Sequence, residues 1–235
     1  MSRFYIPLDK ITGTKSLPDF SSITSIGDYG LSNVLRSRKE LTGSVSFPNL
    51  ISIGEFGLDS AFGFCSGLTG SVSFPKLTSI GDSGLNRTFS DCIGLTGSVS
   101  FPSLTSVGSY GLSSAFSNCT GLTGSVSFPS LTSVDRGALS YTFFNCAGLT
   151  GSVSFPSLTT IGRTGLYEAF YNCTGLTGSV SFPALTSIGG RGLSDVFSGC
   201  TGITEVHFKS SLSGNSECTA SNMGCTNATV YFDLP

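Results

Sequence analysis

The chain has 235 residues and a formal net charge of −2, and only 11% of its residues are charged. That fraction is well below the roughly 25% of an ordinary soluble domain, so Ser, Thr, Asn and Gly carry the solubility, which suits a particle-surface or extracellular protein better than a cytosolic enzyme. There is no basic face for nucleic acid, and no run of about 18 apolar residues that could span a membrane.

The first element, residues 1–19, falls outside any repeat. Its opening, MSRFYIPLDKITG, lacks the uninterrupted apolar stretch of a secretory signal, so either a signal was removed before this numbering begins or, the expected alternative, the chain leaves its cell by another route such as lysis. Phe4, Tyr5, Ile6 and Leu8 lie within residues 1–17, which are expected to cap the first repeat and dock onto a partner chain.

From residue 20 to 208 the chain repeats itself. The string LTGSVSFP begins at Leu41, Leu68, Leu95, Leu122, Leu149 and Leu176, always 27 residues apart. A degenerate copy precedes these with Phe20, Ile23, Ile26, Gly27, Gly30 and Leu31, and a shortened copy, ITEVHF, follows at Ile203. Fixed self-similarity of this kind is the signature of a stacked array, whose units cannot bury their apolar faces alone. Residues 209–235 form a polar C-terminal cap.

One copy, Leu68 to Gly94, shows the physics. SVSFP alternates, so Val72 and Phe74 point inward and Ser71 and Ser73 outward, a short strand that Pro75 ends. Leu77 and Ile80 form a second apolar pair. Leu85, Phe89 and Cys92, spaced by four and three, read as one to two helical turns. The predicted fold is a right-handed leucine-rich-repeat-like solenoid, with a parallel β ladder on one face and short helical or irregular segments on the other. Roughly eight coils at about 4.8 Å each give a rod or shallow arc about 40 Å long.

Phe-x-x-Cys-x-x-Leu, then a short strand ending in Pro, then Leu-x-x-Ile-Gly, as in AFSNCTGLTGSVSFPSLTSV from Ala115 to Val134, resembles the BspA-like class of leucine-rich repeats. The copies here run a few residues longer than is usual for that class, mostly in stretches such as GDSGLNRTF from Gly81 to Phe89. Proteins of this class are similar to surface adhesins of bacteria and protists. Uniform repeats with an ending such as TNATVYFDL also look like tail or fibre components of phages and prophages. The resemblance implies binding and display, with a protein or glycan of a host or cell surface as the partner.

Cys65, Cys92, Cys119, Cys146, Cys173 and Cys200 occupy one repeat position. Their side chains point in parallel and no second ligand lies in the same copy, so they read as buried thiols rather than a disulfide or metal ladder. Cys218 and Cys225, seven apart in the polar tail, are candidates for one disulfide. His207 is the single histidine and acidic residues form no recurring pair, so no catalytic residue, cofactor or metal is expected and the chain reads as a non-enzyme.

Two surfaces compete for a ligand. The strand face repeats outward serines, among them Ser71, Ser73, Ser98, Ser100, Ser125, Ser127, Ser152 and Ser154. These are solvated hydroxyls or, alternatively, an array matched to ice or a crystalline polysaccharide. The other face varies from copy to copy: Phe56, Ser83, Tyr110, Gly137, Thr164 and Arg191 share one position. There Tyr141, Phe144, Tyr167 and Tyr171 are expected to form an outward aromatic patch, the preferred binding anchor. The preferred reading is a phage tail or fibre component that recognises a host-surface ligand, with a bacterial cell-surface adhesin as the alternative.

Overall fold

The computed structural model describes residues 16–235. The expectation for residues 1–17 lies outside the described residues except for its last two. Of these, Ser16 forms a parallel bridge to Thr42, and Leu17 rests partly buried on the core. Coil 1 runs to Glu40, coils 2 to 7 begin at the six leucines of LTGSVSFP, and coil 8 begins at Ile203.

Each coil after the first contributes two strands, most of them only two residues long. In chain order the strands are β1 (Ser25–Ile26), β2 (Val45–Ser46), β3 (Ser52–Ile53), β4 (Gly70–Ser73), β5 (Ser79–Ile80) and β6 (Leu95–Ser100). There follow β7 (Ser106–Val107), β8 (Val126–Ser127), β9 (Ser133–Val134), β10 (Val153–Ser154), β11 (Thr160–Ile161) and β12 (Thr177–Phe182). The last three are β13 (Ser187–Ile188), β14 (Gly202–Lys209) and β15 (Thr229–Leu234). All pairing is parallel, and most strand residues within the repeats face their equivalents in the next coil, as in Val45 with Val72 and Ile53 with Ile80, with register shifts at Gly70 and Gly178.

The sequence pattern led us to expect one ladder, and the structure has two. The Leu-x-x-Ile segment, read only as an apolar pair, builds an unbroken sheet of seven strands from β1 through every odd-numbered strand to β13. Its threonines lock it. The hydroxyls of Thr105, Thr132, Thr159 and Thr186 each donate to the carbonyl of the threonine one coil back, at 2.8–3.2 Å. The SVSFP strands form a second wall, split into a sheet of three (β2, β4, β6) and a sheet of five (β8, β10, β12, β14, β15).

The expected helical turns do not form. The segment from the Ile-Gly turn to the cysteine is a run of four-residue turns with a left-handed residue at every fourth position. In coil 2 these are Phe56, Ser60 and Phe64, with φ of 50°, 53° and 63°. Alternate amides close the turns, as in Ala61 N–H to Leu58 O at 3.0 Å. The others donate to the next coil, as in Leu58 to Gly84 O at 2.8 Å and Phe62 to Thr88 O at 2.9 Å. A helix satisfies its own amides and is about 10 Å wide, too thick to stack at the ~4.8 Å spacing of strand ladders unless the rod curves. Turns that donate to the next coil keep the spacing on both sides alike.

Ring spacings show this. On the strand side Phe47, Phe74, Phe101, Phe128, Phe155, Phe182 and Phe208 stack at 5.3–5.8 Å. On the turn side Phe62, Phe89, Phe116, Phe143, Phe170 and Phe197 stack at 5.2–5.8 Å. Equal spacings across the core mean a nearly straight rod. The tight coil end explains one glycine: a Cβ on Gly94 would lie 2.5 Å from Ser66 O in the preceding coil.

Residues 209–235 form a shortened further turn rather than a bare tail. Leu212, Cys218, Met223, Cys225 and Ala228 are buried, and β15 pairs with β14. The helix here, α1 (Ala220–Met223), is a single turn capped by the Thr219 side chain, which accepts from Asn222 N–H. Arg191 and Leu193 lie where the amides of earlier coils donate to the next coil's carbonyls. Both donate instead to the Glu217 carboxylate, at 2.8 and 3.3 Å. One side chain thus stands in for two missing carbonyls. Among the described residues no helix is long and apolar enough to cross a membrane.

Candidate functional site

The turn face owes its chemistry to its backbone. Because the amides there are satisfied by other backbone groups, the outward side chains are released from structural duty and vary between coils. Left-handed backbone is sterically costly for bulky residues, yet Tyr110 and Tyr141 adopt it, both with φ of 56°. The coil-to-coil hydrogen bonds hold them there.

The four rings expected to form a patch do converge. Phe144 and Tyr171, one coil apart, stack with centroids 4.9 Å apart and planes inclined by 10°. Tyr141 meets Phe144 edge-on at 5.8 Å and Tyr167 edge-on at 5.3 Å. All four are half-buried. The guanidinium of Arg191, from coil 7, lies 4.6 Å over the Tyr167 ring, a cation–π contact. The Tyr167 phenol is pushed above its usual pKa, chiefly by hydrogen bonding to Glu168 and then by burial, so it stays a neutral donor. The Phe144–Tyr171 stack is flanked one coil away by Ser117 and Ser198, which are too small to cover its outer ring faces. The patch is therefore two open ring faces beside a phenol and a guanidinium.

A second ladder on this face escaped the sequence reading. Asn118 donates to Asp91 at 3.0 Å, Asn145 to Asn118 at 3.1 Å and Asn172 to Asn145 at 3.1 Å. These residues sit at left-handed positions, which Asn tolerates better than most. The signal was available as one repeat position holding Asp, Asn, Asn and Asn.

The serines of the strand face point outward as expected. Ser98, Ser100, Ser125, Ser127 and Ser152 are exposed, while Ser71, Ser73 and Ser154 are half-buried. Pairing stops between β6 and β8, so the array is divided between Ser100 and Ser127.

Cys65, Cys92, Cys119, Cys146, Cys173 and Cys200 are buried free thiols. They do more than fill space. Each Sγ donates to the carbonyl 30 residues earlier at 3.0 Å, as Cys119 does to Phe89. Burial raises every one of these thiol pKa values, Cys65 to about 11 and Cys200 to about 12. They are poor thiolates and hence poor nucleophiles. Cys218 and Cys225, the candidate disulfide, are both buried and not joined.

His207 gains partners that sequence spacing hid. Its Nδ1 lies 3.0 Å from both Asp233 carboxylate oxygens, its Nε2 is 3.4 Å from Glu205, and its ring stacks on Tyr231 at 4.9 Å. The Asp233 contact raises its pKa above the ordinary histidine value. The group fastens β15 to β14.

No curated protein matches the chain. Among solved structures, similar chains are a leucine-rich repeat protein of T. pallidum (22% identical, 73% of this chain and 72% of that one, TM-score 0.47) and one of Bacteroides ovatus (20%, 92% and 59%, 0.40). A third is a leucine rich cell surface protein of Faecalibacterium prausnitzii (16%, 92% and 86%, 0.28). The family model described as BspA type leucine rich repeat region matches residues 24–177 and 166–231. With that match spanning nearly all of the described repeats, the chain belongs to the BspA-type leucine-rich repeat family.

Proposed function

We propose that the chain is a non-enzymatic recognition scaffold whose turn face carries the ligand-binding residues, with the Tyr141, Phe144, Tyr167 and Tyr171 patch as anchor and a protein or glycan of a host or cell surface as partner. The observation that carries this reading is the convergence of four half-buried rings and one guanidinium on the turn face. Aromatic and arginine side chains supply most of the energy at known binding surfaces. The single histidine is engaged in fastening β15, and the thiols are buried donors, so the reactive side chain types already hold structural roles.

The test is binding to host cells and to a glycan array by the parent and by a variant with the four rings changed to serine. The expected outcome is a modestly lower melting temperature with a still cooperative transition, and lost binding, because the rings lie outside the core but contact one another. Undiminished binding by the variant would remove the patch from this role.

The setting we favour is a phage tail or fibre. A surface of hydroxyls and few charges supports it, and a bacterial cell-surface adhesin is the second setting. Mass spectrometry of purified particles against washed cell envelopes separates the two. The serine array ranks lower as a surface for ice or polysaccharide, since its strand pairing is divided.

A further inference from the structure

A depression of about 200 Å³ opens on the turn face, distinct from the aromatic patch. Its walls are Arg36 of coil 1, Ser60, Gly63 and Phe64 of coil 2, and Arg87 and Ser90 of coil 3. One residue creates the space. At the position of Gly63 the flanking coils carry Arg36 and Ser90, and later coils carry serine or an aromatic ring. A Cβ on Gly63 would meet only Arg87 O at 3.4 Å and Ser60 O at 3.5 Å, which is ordinary contact. The fold does not need glycine there, and its missing side chain leaves the hollow between the two arginines.

The hollow is polar and cationic on two sides. The Arg36 guanidinium lies 5.1 Å over the Phe64 ring and reaches Asn33 Oδ1 only at 3.5 Å. Among the described residues neither Arg36 nor Arg87 forms an ion pair. Two carboxylates face the site. Asp59 feels both guanidiniums, and burial raises its pKa. Asp91 is occupied by Ser90 Oγ at 2.7 Å and Asn118 Nδ2 at 3.0 Å. Local charge is balanced, so the site offers no general attraction for polyanions. It offers two guanidinium side chains from coils two apart, beside the Phe64 ring, which is 41% exposed and carries Arg36 over one face. Guanidinium forks match a carboxylate or sulfate in bidentate fashion, and an aromatic wall suits the apolar face of a sugar ring.

We propose that this hollow binds an acidic saccharide, with its carboxylate or sulfate ester between Arg36 and Arg87 and its ring against Phe64.

The test is calorimetric or NMR titration of the whole chain with four probes: sialylated lactose, lactose bearing a terminal sulfate, plain lactose and a tri-aspartate peptide. One or both acidic sugars should bind at millimolar concentration while lactose and the peptide do not, and which of them binds identifies the oxyanion. Arg87→Gln should weaken binding about ten-fold through loss of one charge-assisted fork. Gly63→Tyr should weaken it at least as much by filling the hollow, and Thr226→Ala, at an exposed position near the C-terminal end of the rod, should leave it unchanged. Melting curves confirm that the variants fold, and Arg87→Gln alone decides if Gly63→Tyr does not. The proposal falls if neither acidic sugar binds, if lactose or the peptide binds equally well, or if both hollow variants bind like the parent. Cell binding through the aromatic patch is read separately, so the two readings fail independently.

Discussion

The strand side and the turn side of each coil use the same spacing and treat their side chains in opposite ways. On the strand side LTGSVSFP is nearly unchanged through six coils. Side chains there do structural work, with threonine hydroxyls bound to the previous coil and two walls of short strands held in register. On the turn side most coil-to-coil bonding is carried by main chain, with the asparagine ladder and the buried thiols adding to it, and one position holds Phe, Ser, Tyr, Gly, Thr and Arg in successive coils. Where the backbone satisfies itself, the sequence is free to diverge, and the aromatic patch and the arginine-lined hollow both lie there.

The contrast is broken most severely by emptying what the two sides share. Phe116 is fully buried between Phe89 and Phe143, at 5.2 and 5.4 Å. Phe116→Ala should cost about 3–5 kcal/mol, seen as a lower urea midpoint, whereas Tyr171→Ser on the open face should shift it little. Next is the end of the rod. Glu217→Ala leaves the Arg191 and Leu193 amides without their acceptor, at a cost of about 1–3 kcal/mol. Hydrogen exchange should quicken at those two amides and not in coil 2.

The thiol column gives a smaller effect. Cys119→Ala removes one sulfur donor to Phe89 O, worth about 1 kcal/mol. In the parent, burial should keep Cys119 and Cys146 unmodified by iodoacetamide until denaturant is added, read by mass spectrometry. The least effect belongs to His207. Its pKa is raised in the folded chain by Asp233, with Glu205 adding to it. The stabilisation is therefore fully present below the ordinary histidine pKa and is lost as pH rises through the raised folded value. Protection of the Thr229–Leu234 amides, after correction for the intrinsic pH dependence of exchange, should fall as pH rises from the ordinary histidine pKa through the raised folded value, and His207→Gln should abolish that fall.

The array was legible in the sequence because apolar positions such as Leu77, Ile80, Phe89 and Cys92 recur at one interval. The aromatic cluster was legible for the same reason, since arithmetic places Phe144 beside Tyr171. The helical reading failed because spacings of four and three serve a chain of four-residue turns as well as a helix, and only the stacking distance separates the two. The second sheet was hidden in strands of two residues, too short to show alternation. The contacts of Glu217 and Asp233 were hidden because each joins residues from different coils at positions that no repeat defines, and the shared hollow of Arg36 and Arg87 was hidden because the two occupy different repeat positions.

Glu217 has a consequence for heredity as well as for stability. Coils 2 to 7 share the main-chain bonding of the Leu-x-x-Ile sheet, so that sheet does not count them; the ends record where the array stops. Unequal crossing-over between two copies of LTGSVSFP would delete or duplicate 27 residues and leave both ends intact. Each such event would change the reach of the molecule by one rung of about 4.8 Å, and one confined to coil 4 would shift the spacing between the arginine-lined hollow and the aromatic patch by the same step. The gene can thus tune the distance between two recognition points without altering either of them.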